Sequence, residues 1–182
     1  TIVEMGREDS KLITLDFEEQ SQKIKISDFT MNSICAAGTG SFLDQQAHRL
    51  GLTVEEFGKL ALEADRPAGC GDRCTVFIES DLNAFQQKGV EKKNLVGGLA
   101  YSIVHNYIQK VVRKKRVGDH ILFQGGVTNN KAVVAAFEKV TGKKIFIPPH
   151  FDVTGAIGAA MLARDHVKEH GQETRFKGFD IS

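Results

Sequence analysis

The sequence predicts an α/β domain, because strand-like segments open the chain, helical segments follow, and strands and helices then alternate. The 182 residues suit one domain with a full hydrophobic core. Hydrophobic residues make up 41% and charged residues 26% of the chain, the balance of an ordinary globular protein. The first residue is Thr1 rather than Met and already lies in a strand-like segment, so we interpret the chain as a piece of a longer protein.

The first three elements are predicted to be the strands of an antiparallel meander. They are the segments TIVEM, KLITLDF and KIKISDF, joined by short polar links, of which the first is a turn at residues 6–9. In the third segment Ile24 and Ile26 alternate with lysines, and a period of two is typical of a half-buried strand.

Helical periodicity dominates the middle of the chain. A helix is predicted from Thr39 to Leu50, and the capping-box pair Thr53 and Glu56 opens the next one. The segment CTVFIESDLNAFQQ and residues 94–116 predict two more helices, the second with a wide apolar stripe. Its basic end suits the helix dipole, and a patch for phosphate or a partner is the alternative interpretation.

Strands and helices alternate in the last third of the chain. The segments HILFQ and KIFIPP predict strands, and residues 131–140 and 154–169 predict helices. The complete order is that of a ribonuclease-H-like domain, with a mixed five-stranded sheet, helices on both faces and inserted helices. We expect this domain to occupy residues 1–171 and the polar residues 172–182 to form a loose tail.

Charge and cysteine content exclude several classes of function. The net charge of +1 gives no reason to expect nucleic acid or an anionic membrane as a partner. No apolar run reaches the roughly 18 residues that a membrane helix needs. Three cysteines are an odd, small number, which argues against a disulfide framework and leads us to expect a reducing cytoplasm.

Three glycine-containing turns are candidates for phosphate binding. They are GREDSK at residues 6–11, AGTG at residues 37–40 and GGVTNN at residues 125–130. Glycine lets a ligand approach the backbone closely, and free N–H groups at a turn or helix start favour phosphate. A single glycine turn is more often an ordinary connection, but three in one domain favour a nucleotide site.

Four charged residues are candidates for the polar lining of the same cleft. Asp9 and Lys11 belong to the first turn, and Asp44 and Glu79 belong to predicted helices. For the two helical residues, a solvated helix face is an equally good interpretation.

Two cysteines, Cys35 and Cys74, lie at predicted helix starts, where the thiolate form that binds metal is favoured. A [4Fe–4S] cluster needs four thiolates, so two copies of the chain would be required. On spacing alone, cysteines packed as small hydrophobic residues are the better interpretation. Cys70 and Cys74 are also spaced for zinc, but no convincing histidine stands nearby.

Four motifs, CAAGTGSFLDQQAHRLG, CTVFIESD, GGVTNN and GAIGAAMLA, resemble those of the BadF/BadG/BcrA/BcrD type ATPases, the ATP-dependent activators of 2-hydroxyacyl-CoA dehydratases. The resemblance covers the chain to about residue 164. It implies the second ribonuclease-H-like domain of a protein in the acetate kinase, sugar kinase and actin superfamily, whose two domains enclose a nucleotide cleft. It also implies a cytoplasmic homodimer that shares one [4Fe–4S] cluster, held by Cys35 and Cys74 of each subunit. ATP binding and hydrolysis would then drive transfer of one electron to a dehydratase or reductase.

The resemblance also implies a role for each turn. GREDSK corresponds to the second phosphate motif and GGVTNN to the adenosine motif, so ATP or ADP and Mg²⁺ are the implied cofactors. The implied catalytic residues are Glu4, Glu8 and Asp9, and the implied nucleotide-binding residues are Gly6, Ser10, Lys11, Gly38, Thr39, Gly40, Gly125, Gly126, Val127, Asn130 and Gly155.

The phosphate turn departs from the family's usual pattern, which reads like DIGGQDSK where this chain reads EMGREDSK. Glu4 replaces an aspartate, Arg7 a glycine and Glu8 a glutamine. A longer carboxylate still suits Mg²⁺ or water, but Arg7 is bulky where close backbone approach is expected. Because one wall of the cleft is missing as well, we expect weak nucleotide binding and no ATP turnover by this chain alone.

Two other functions fit parts of the pattern. A nucleotide-binding regulatory module of the same fold would keep the turns and lack the cluster. A kinase of the sugar-kinase type is disfavoured, because two helix starts carry cysteines and no substrate motif is recognisable.

Overall fold

The structure, a computed structural model, describes residues 1–32, 39–71 and 75–171. The α/β order predicted from the sequence is confirmed. The elements are β1 (Ile2–Met5), β2 (Ser10–Glu18), β3 (Lys23–Met31), α1 (Gly40–Arg49), α2 (Val54–Leu62), α3 (Thr75–Gln87), α4 (Lys92–Tyr107), β4 (Ile121–Gln124), α5 (Lys131–Thr141), β5 (Ile145–Phe146) and α6 (Thr154–His170).

The five strands form one mixed sheet in the order β3-β2-β1-β4-β5. The pairs β1–β2 and β2–β3 are antiparallel, which confirms the predicted meander, and the pairs β1–β4 and β4–β5 are parallel. Within the register Glu4 lies between Lys11 of β2 and Gln124 of β4. Because β1 and β4 are parallel, both carboxyl ends, and the turns that follow them, meet at the same edge of the sheet.

Within the described part of residues 1–152, a hydrophobic core joins the sheet to α1, α2, α3, α4 and α5. Val3 of β1 and Phe123 of β4 are fully buried, as is the predicted apolar stripe of α4, which includes Tyr107. The ring of Phe137 in α5 packs 5.6 Å from the ring of Tyr107 and 5.5 Å from that of Phe123. The Tyr107 hydroxyl donates a hydrogen bond of 2.9 Å to the carbonyl of Lys11, which ties α4 to β2.

The edge strand β3 differs from its prediction. Ile24 and Ile26 are 68% and 67% exposed, so the half-burial read from their alternation is wrong, although the strand itself is confirmed. They pair with Phe17 and Leu15, whereas β1 reaches only as far as Ile13 along β2. The outer part of β2 and β3 is therefore a two-stranded ribbon that extends past the core-covered part of the sheet.

Helix boundaries follow local chemistry. At the start of α2, Thr53 Oγ1 accepts a hydrogen bond of 3.1 Å from the Glu56 N–H and Glu56 Oε2 accepts one of 2.8 Å from the Thr53 N–H, which confirms the capping box. The helix predicted to reach residue 116 is shorter. A π-helical turn (Ile108–Val112) follows α4, and Arg113 has a φ of 56°, so the last basic residues lie outside the helix.

The chain divides into two compact units, Thr1–Asp152 and Val153–Ser182. The described part of the second unit contains α6, which is followed by Gly171 with a φ of 60°. The predicted tail, residues 172–182, lies outside the described residues. Across residues 1–32, 39–71 and 75–171, no helix combines the length and apolar character needed to cross a membrane.

Candidate functional site

Two turns meet at the carboxyl ends of β1 and β4 and form the edge of a cleft. Residues 6–9 follow β1, and a 3₁₀ turn (Gly126–Asn129) follows β4. A cavity of about 200 Å³ lies between these turns and α1, and a neighbouring cavity of about 220 Å³ lies between the second turn and α2. Val54 and Asn130 line both cavities, so the two lie side by side, and we refer to them together as the cleft.

A roomier cavity of about 560 Å³ lies elsewhere, at the opposite end of β1 and β4. Its walls include Ile2, Leu122 and Phe146 and are mostly apolar. We place the functional site at the smaller cleft, because that is where the parallel strands end and where the glycine-containing turns lie.

The first turn is hydrogen-bonded to the start of α1. The N–H of Gly6 donates to the carbonyl of Asp9 at 2.8 Å, and the carbonyls of Gly6 and Arg7 accept from the N–H groups of Gly40 and Ser41 at 2.9 and 2.8 Å. A Cβ on Gly40 would lie 3.2 Å from the Gly6 oxygen, so this glycine permits the close approach. These two N–H groups of α1 therefore hold the turn, a use that the sequence did not indicate.

The polar side chains behind the first turn form hydrogen bonds and an ion pair with one another. Lys11 Nζ lies 2.6 Å from Glu4 Oε1, and Gln124 Nε2 donates to Glu4 Oε2 at 2.9 Å. Burial alone would raise the pKa of Glu4, but these hydrogen bonds and the Lys11 charge outweigh burial, so the pKa lies below its ordinary value. Burial, and then the Glu4 charge, raise the pKa of Tyr107, which stays neutral.

The position of each carboxylate decides which of them fits Mg²⁺. Both oxygens of Glu4 are engaged by Lys11 and Gln124, so Glu4 fits the role of a direct metal ligand poorly. Glu8 and Asp9 are exposed at the tip of the turn and fit that role better.

Two predicted nucleotide-binding residues, Ser10 and Thr39, lie beneath the turn rather than at its surface. Both are fully buried. The Ser10 N–H donates to Asn32 Oδ1 at 2.9 Å, and Thr39 Oγ1 lies 3.1 Å from Ser41 Oγ. Their position supports the turn and the start of α1 from the inside.

The two glycines after β4 have different surroundings. Gly125 has a φ of 97°, and a Cβ there would lie 2.4 Å from the Met5 carbonyl oxygen, so the fold requires glycine. A Cβ on Gly126 would meet no atom of the described residues within 4 Å, and Gly126 lines the smaller cavity. Gly125 therefore serves the packing of β4 on β1, and Gly126 faces open space in the cleft.

The side chain of Asn130 caps α5 with its oxygen, and its amide nitrogen remains available for a further hydrogen bond. Its Oδ1 accepts hydrogen bonds of 3.1 and 3.3 Å from the N–H groups of Ala132 and Val133, which caps α5. Its Nδ2 is buried and, in the part of the chain that the structure describes, has no hydrogen-bond partner; the same holds for Thr128 Oγ1. Val127 is 6% exposed and lines the cavity beside Asn130. The second turn thus fits a ligand with hydrogen-bonding groups.

Several predicted site residues cannot be placed in this cleft. Cys35, Gly38 and Cys74 lie outside the described residues. Gly155 lies in the first turn of α6, in the second unit, which is described by itself.

The neighbours of the two predicted metal ligands are described. Thr39 and Gly40 follow shortly after Cys35, and α3 begins at Thr75, directly after Cys74. Within the described ranges, no group of three or more His, Cys, Asp or Glu side chains is arranged to hold a metal ion.

Cys70 is a protonated packing residue. Burial, and then the nearby Asp81 charge, raise the pKa of the Cys70 thiol to about 11. Its carbonyl accepts a hydrogen bond of 2.9 Å from the Ser102 hydroxyl, which fixes it against α4. A thiol in this state is a poor metal ligand, so the environment of Cys70 disfavours a zinc site shared with Cys74.

Glu79 joins α1 to α3 and does not line either cavity of the cleft. Gln46, which is fully buried, donates to Glu79 Oε1 at 3.0 Å, and Arg49 Nη1 lies 3.3 Å from Glu79 Oε2. Arg49 also donates to Asn83 at 2.9 Å. Asp44, in contrast, lines the smaller cavity. Asp44 therefore lies at the cleft, whereas Glu79 fits neither alternative, because it joins two helices.

One wall of the cleft, formed by α2, was not predicted from the sequence. Val54, Glu55, Gly58, Lys59 and Leu62 of α2 line the second cavity. Their spacing places them on one helical face, a pattern visible in the sequence. Nothing in that pattern indicates that the face lies opposite the turn after β4.

A mixed sheet whose neighbouring parallel strands both end in glycine-containing turns beside a cleft defines an α/β domain of the actin and sugar kinase-like class. The chain belongs to the BadF/BadG/BcrA/BcrD ATPase family, whose sequence profile matches residues 1–163. The family resemblance seen in the motifs is therefore confirmed.

Solved structures and curated relatives agree with this assignment. The activator of the 2-hydroxyisocaproyl-CoA dehydratase from Clostridium difficile with bound ADPNP matches with a TM-score of 0.82 and 30% identity, over 98% of this chain and 64% of that chain. Component A of the Acidaminococcus fermentans (R)-2-hydroxyglutaryl-CoA dehydratase matches with a TM-score of 0.80 and 31% identity, over 92% of this chain and 62% of that chain. The activator of lactoyl-CoA dehydratase from Anaerotignum propionicum is 35% identical over 163 residues, which are 90% of this chain and 61% of the relative. This chain thus spans less than two thirds of the length of these three relatives.

Proposed function

We propose that this chain is the nucleotide-binding half of an ATP-dependent activator that delivers one electron to a 2-hydroxyacyl-CoA dehydratase or a related reductase. The observation that carries the proposal is the cleft at the carboxyl ends of β1 and β4, in a chain similar to an activator with bound ADPNP. The relatives named above activate dehydratases, which supports a dehydratase as the partner.

The cleft offers different chemistry to the two ends of a nucleotide. The phosphates would lie between residues 6–9 and Gly126, because the backbone at Gly126 is open to close approach. The adenosine would lie in the neighbouring cavity against α2, within reach of the buried Asn130 amide. Asp9 and Glu8 are the carboxylates that would hold Mg²⁺, which neutralises phosphate charge when bound.

Along the sequence, the two cysteines precede α1 and α3. In a homodimer, Cys35 and Cys74 of each chain would provide the four thiolates of a shared [4Fe–4S] cluster, which supplies a low-potential one-electron donor when bound. Hydrogen bonds join the first turn to the start of α1, and Gln46 and Glu79 join α1 to α3. A change at the phosphate turn would therefore reach the helices that follow both cysteines.

One anaerobic preparation tests both parts of the proposal. Calorimetric titration with ADPNP measures nucleotide binding, and iron and sulfide assays with sedimentation measure cluster and dimer. We expect weak ADPNP binding, no phosphate release from ATP, and an iron-loaded dimer. A colourless protein that binds ADPNP would instead favour the regulatory module without a cluster. A protein that binds no nucleotide would contradict both functions.

A further inference from the structure

Arg7 is a charged residue of the cleft to which the proposed function assigns no individual role. It stands in the first turn, where the family pattern has glycine, and its side chain is 76% exposed. Among the described residues that line the smaller cavity, Arg7 is the cation and Asp44 the anion. A guanidinium beside a site for phosphate is expected to affect binding, either by contacting the ligand or by blocking it.

The backbone of Arg7 is held firmly. Its carbonyl accepts the Ser41 N–H at 2.8 Å, and the carbonyl of the preceding Gly6 accepts the Gly40 N–H at 2.9 Å. Both bonds anchor the turn to the first residues of α1. The side chain of Arg7 therefore starts from a fixed point at the mouth of the cavity.

The side chain of Arg7 is held only loosely. Its Nε lies 3.4 Å from Asp44 Oδ2 and 3.9 Å from Glu8 Oε1. A charge-assisted hydrogen bond from a guanidinium is shorter, about 2.7–2.9 Å. Exposed ion pairs of this kind contribute little to stability, typically less than about 1 kcal/mol. Exchanging Asp44 for a better anion would therefore cost little.

The other cation of the turn is already engaged. Lys11 Nζ lies 2.6 Å from Glu4 Oε1, and the Lys11 side chain is 25% exposed. Moving Lys11 toward a phosphate would leave the Glu4 carboxylate without its neutralising charge. Arg7, which is exposed and weakly paired, is the cation of this turn that can meet a ligand without such a loss.

We propose that Arg7 contacts the phosphates of the bound nucleotide and that its guanidinium exchanges Asp44 for them. The inference rests on the proposed function, because it concerns the ligand of the same cleft. The Arg7 side chain would then contact the phosphates at the position where the family pattern has a glycine and the backbone is expected to approach them. Two parallel N–H groups of a guanidinium match the oxygens of a phosphate, which a lysine ammonium does not reproduce.

The test compares ligands of different charge on a small set of variants of the complete chain. Adenosine, ADP and ADPNP are titrated calorimetrically into the wild type, Arg7→Gly and Arg7→Lys. We expect Arg7→Gly to weaken ADPNP and ADP binding on the order of 10- to 100-fold, the effect of losing hydrogen bonds to a charged group. Adenosine binding should be unchanged, which also shows that the variant is folded. Arg7→Lys should fall between the wild type and Arg7→Gly.

Two further variants locate the effect. Arg116→Gly removes an exposed cation that precedes the amino end of β4, whereas the cleft lies at the carboxyl end of that strand. This variant should change none of the three affinities. Asp44→Asn removes the resting partner and should raise ADPNP affinity by at most about fivefold. In the Arg7→Gly background, Asp44→Asn should have no such effect.

The possible results separate this inference from the proposed function. Equal ADPNP affinity of the wild type and Arg7→Gly would overturn the role of Arg7 and leave the nucleotide site standing. Tighter ADPNP binding by Arg7→Gly would also overturn it, because Arg7 would then block the cleft. A wild type that binds none of the three ligands would overturn the proposed function and this inference together.

Discussion

The two turns that face each other across the cleft are built in opposite ways. In the turn after β1 the first two residues are fixed by backbone hydrogen bonds to α1, and charged side chains lie around the turn. In the turn after β4 the backbone itself faces the cavity at Gly126. The buried amide nitrogen of Asn130 has no hydrogen-bond partner among the described residues. The comparison shows that glycine-containing turns at the same edge of one sheet can serve different purposes.

Two consecutive glycines of the second turn also differ in purpose, since one serves the packing of the protein and the other faces the cavity. Gly125 is required by the close approach of β4 to β1, whereas a side chain at Gly126 would meet no neighbour among the described residues. A glycine whose space is unused by the fold is the better candidate for a ligand contact. The predictions below test this division, from the largest expected effect to the smallest.

Gly125→Ala should destabilise the fold more than any other change at the cleft. The new Cβ would lie 2.4 Å from the Met5 carbonyl oxygen at a φ of 97°, so backbone must shift. We expect a loss of about 3 kcal/mol or more in the free energy of unfolding. Urea denaturation followed by circular dichroism measures it, with Gly126→Ala as the matched control. Equal stability of the two variants would contradict the division.

Gly126→Val should abolish nucleotide binding and leave the fold intact. The valine side chain would enter open space in the cavity between the two turns, where the ligand is expected. Calorimetry with ADPNP measures binding, and the free energy of unfolding from urea denaturation should stay within about 0.5 kcal/mol of the wild type. If the variant binds ADPNP like the wild type, the turn after β4 is only a connection between strand and helix.

Glu4→Gln should reduce stability at neutral pH and much less in acid. The pKa of Glu4 is lowered in the folded state, so its contribution is present above the unfolded value of about 4.3 and is lost as the pH falls through the folded value. We expect a loss of about 1–2 kcal/mol at pH 7, because Lys11 and Gln124 lose a charged partner. Urea denaturation at pH 7 and pH 3 checks this, and a difference that grows toward pH 3 would have the wrong sign.

Cys70 should react slowly with alkylating reagents. Its pKa of about 11 leaves little thiolate at pH 7.5, and the side chain is only partly accessible. Mass spectrometry after a short iodoacetamide pulse should find little Cys70 modified in the native protein and complete modification in urea. Rapid native labelling would mean that Cys70 is more open than its packing against α4 indicates.

Much of the fold could be predicted, because its signals are local. The meander follows from period-two segments and short links, and the start of α2 from the pair Thr53 and Glu56. The exposure of Ile24 and Ile26 could not be predicted, because it depends on how far the neighbouring strand β1 extends. Alternation alone does not say whether a core reaches that part of a strand.

The sequence predicted which turns form the site, but it did not predict the contacts between the side chains around them. Glycine spacing located residues 6–9 and 125–130, yet the pairing of Glu4 with Lys11 depends on register across two strands. The α2 wall and the bond between Gln46 and Glu79 depend on how helices pack. The order of residues along one chain does not indicate such tertiary contacts.

The central claim is that the chain carries a nucleotide site connected to a cluster held by Cys35 and Cys74, and iron content tests it most directly. After anaerobic reconstitution, iron and sulfide are measured for the wild type, Cys35→Ser, Cys74→Ser and Cys70→Ser. The account predicts about four irons per two chains in the wild type and in Cys70→Ser, and none in the other two variants. Retention of the cluster by Cys35→Ser together with its loss in Cys70→Ser would contradict the account and indicate a local metal site at Cys70 and Cys74.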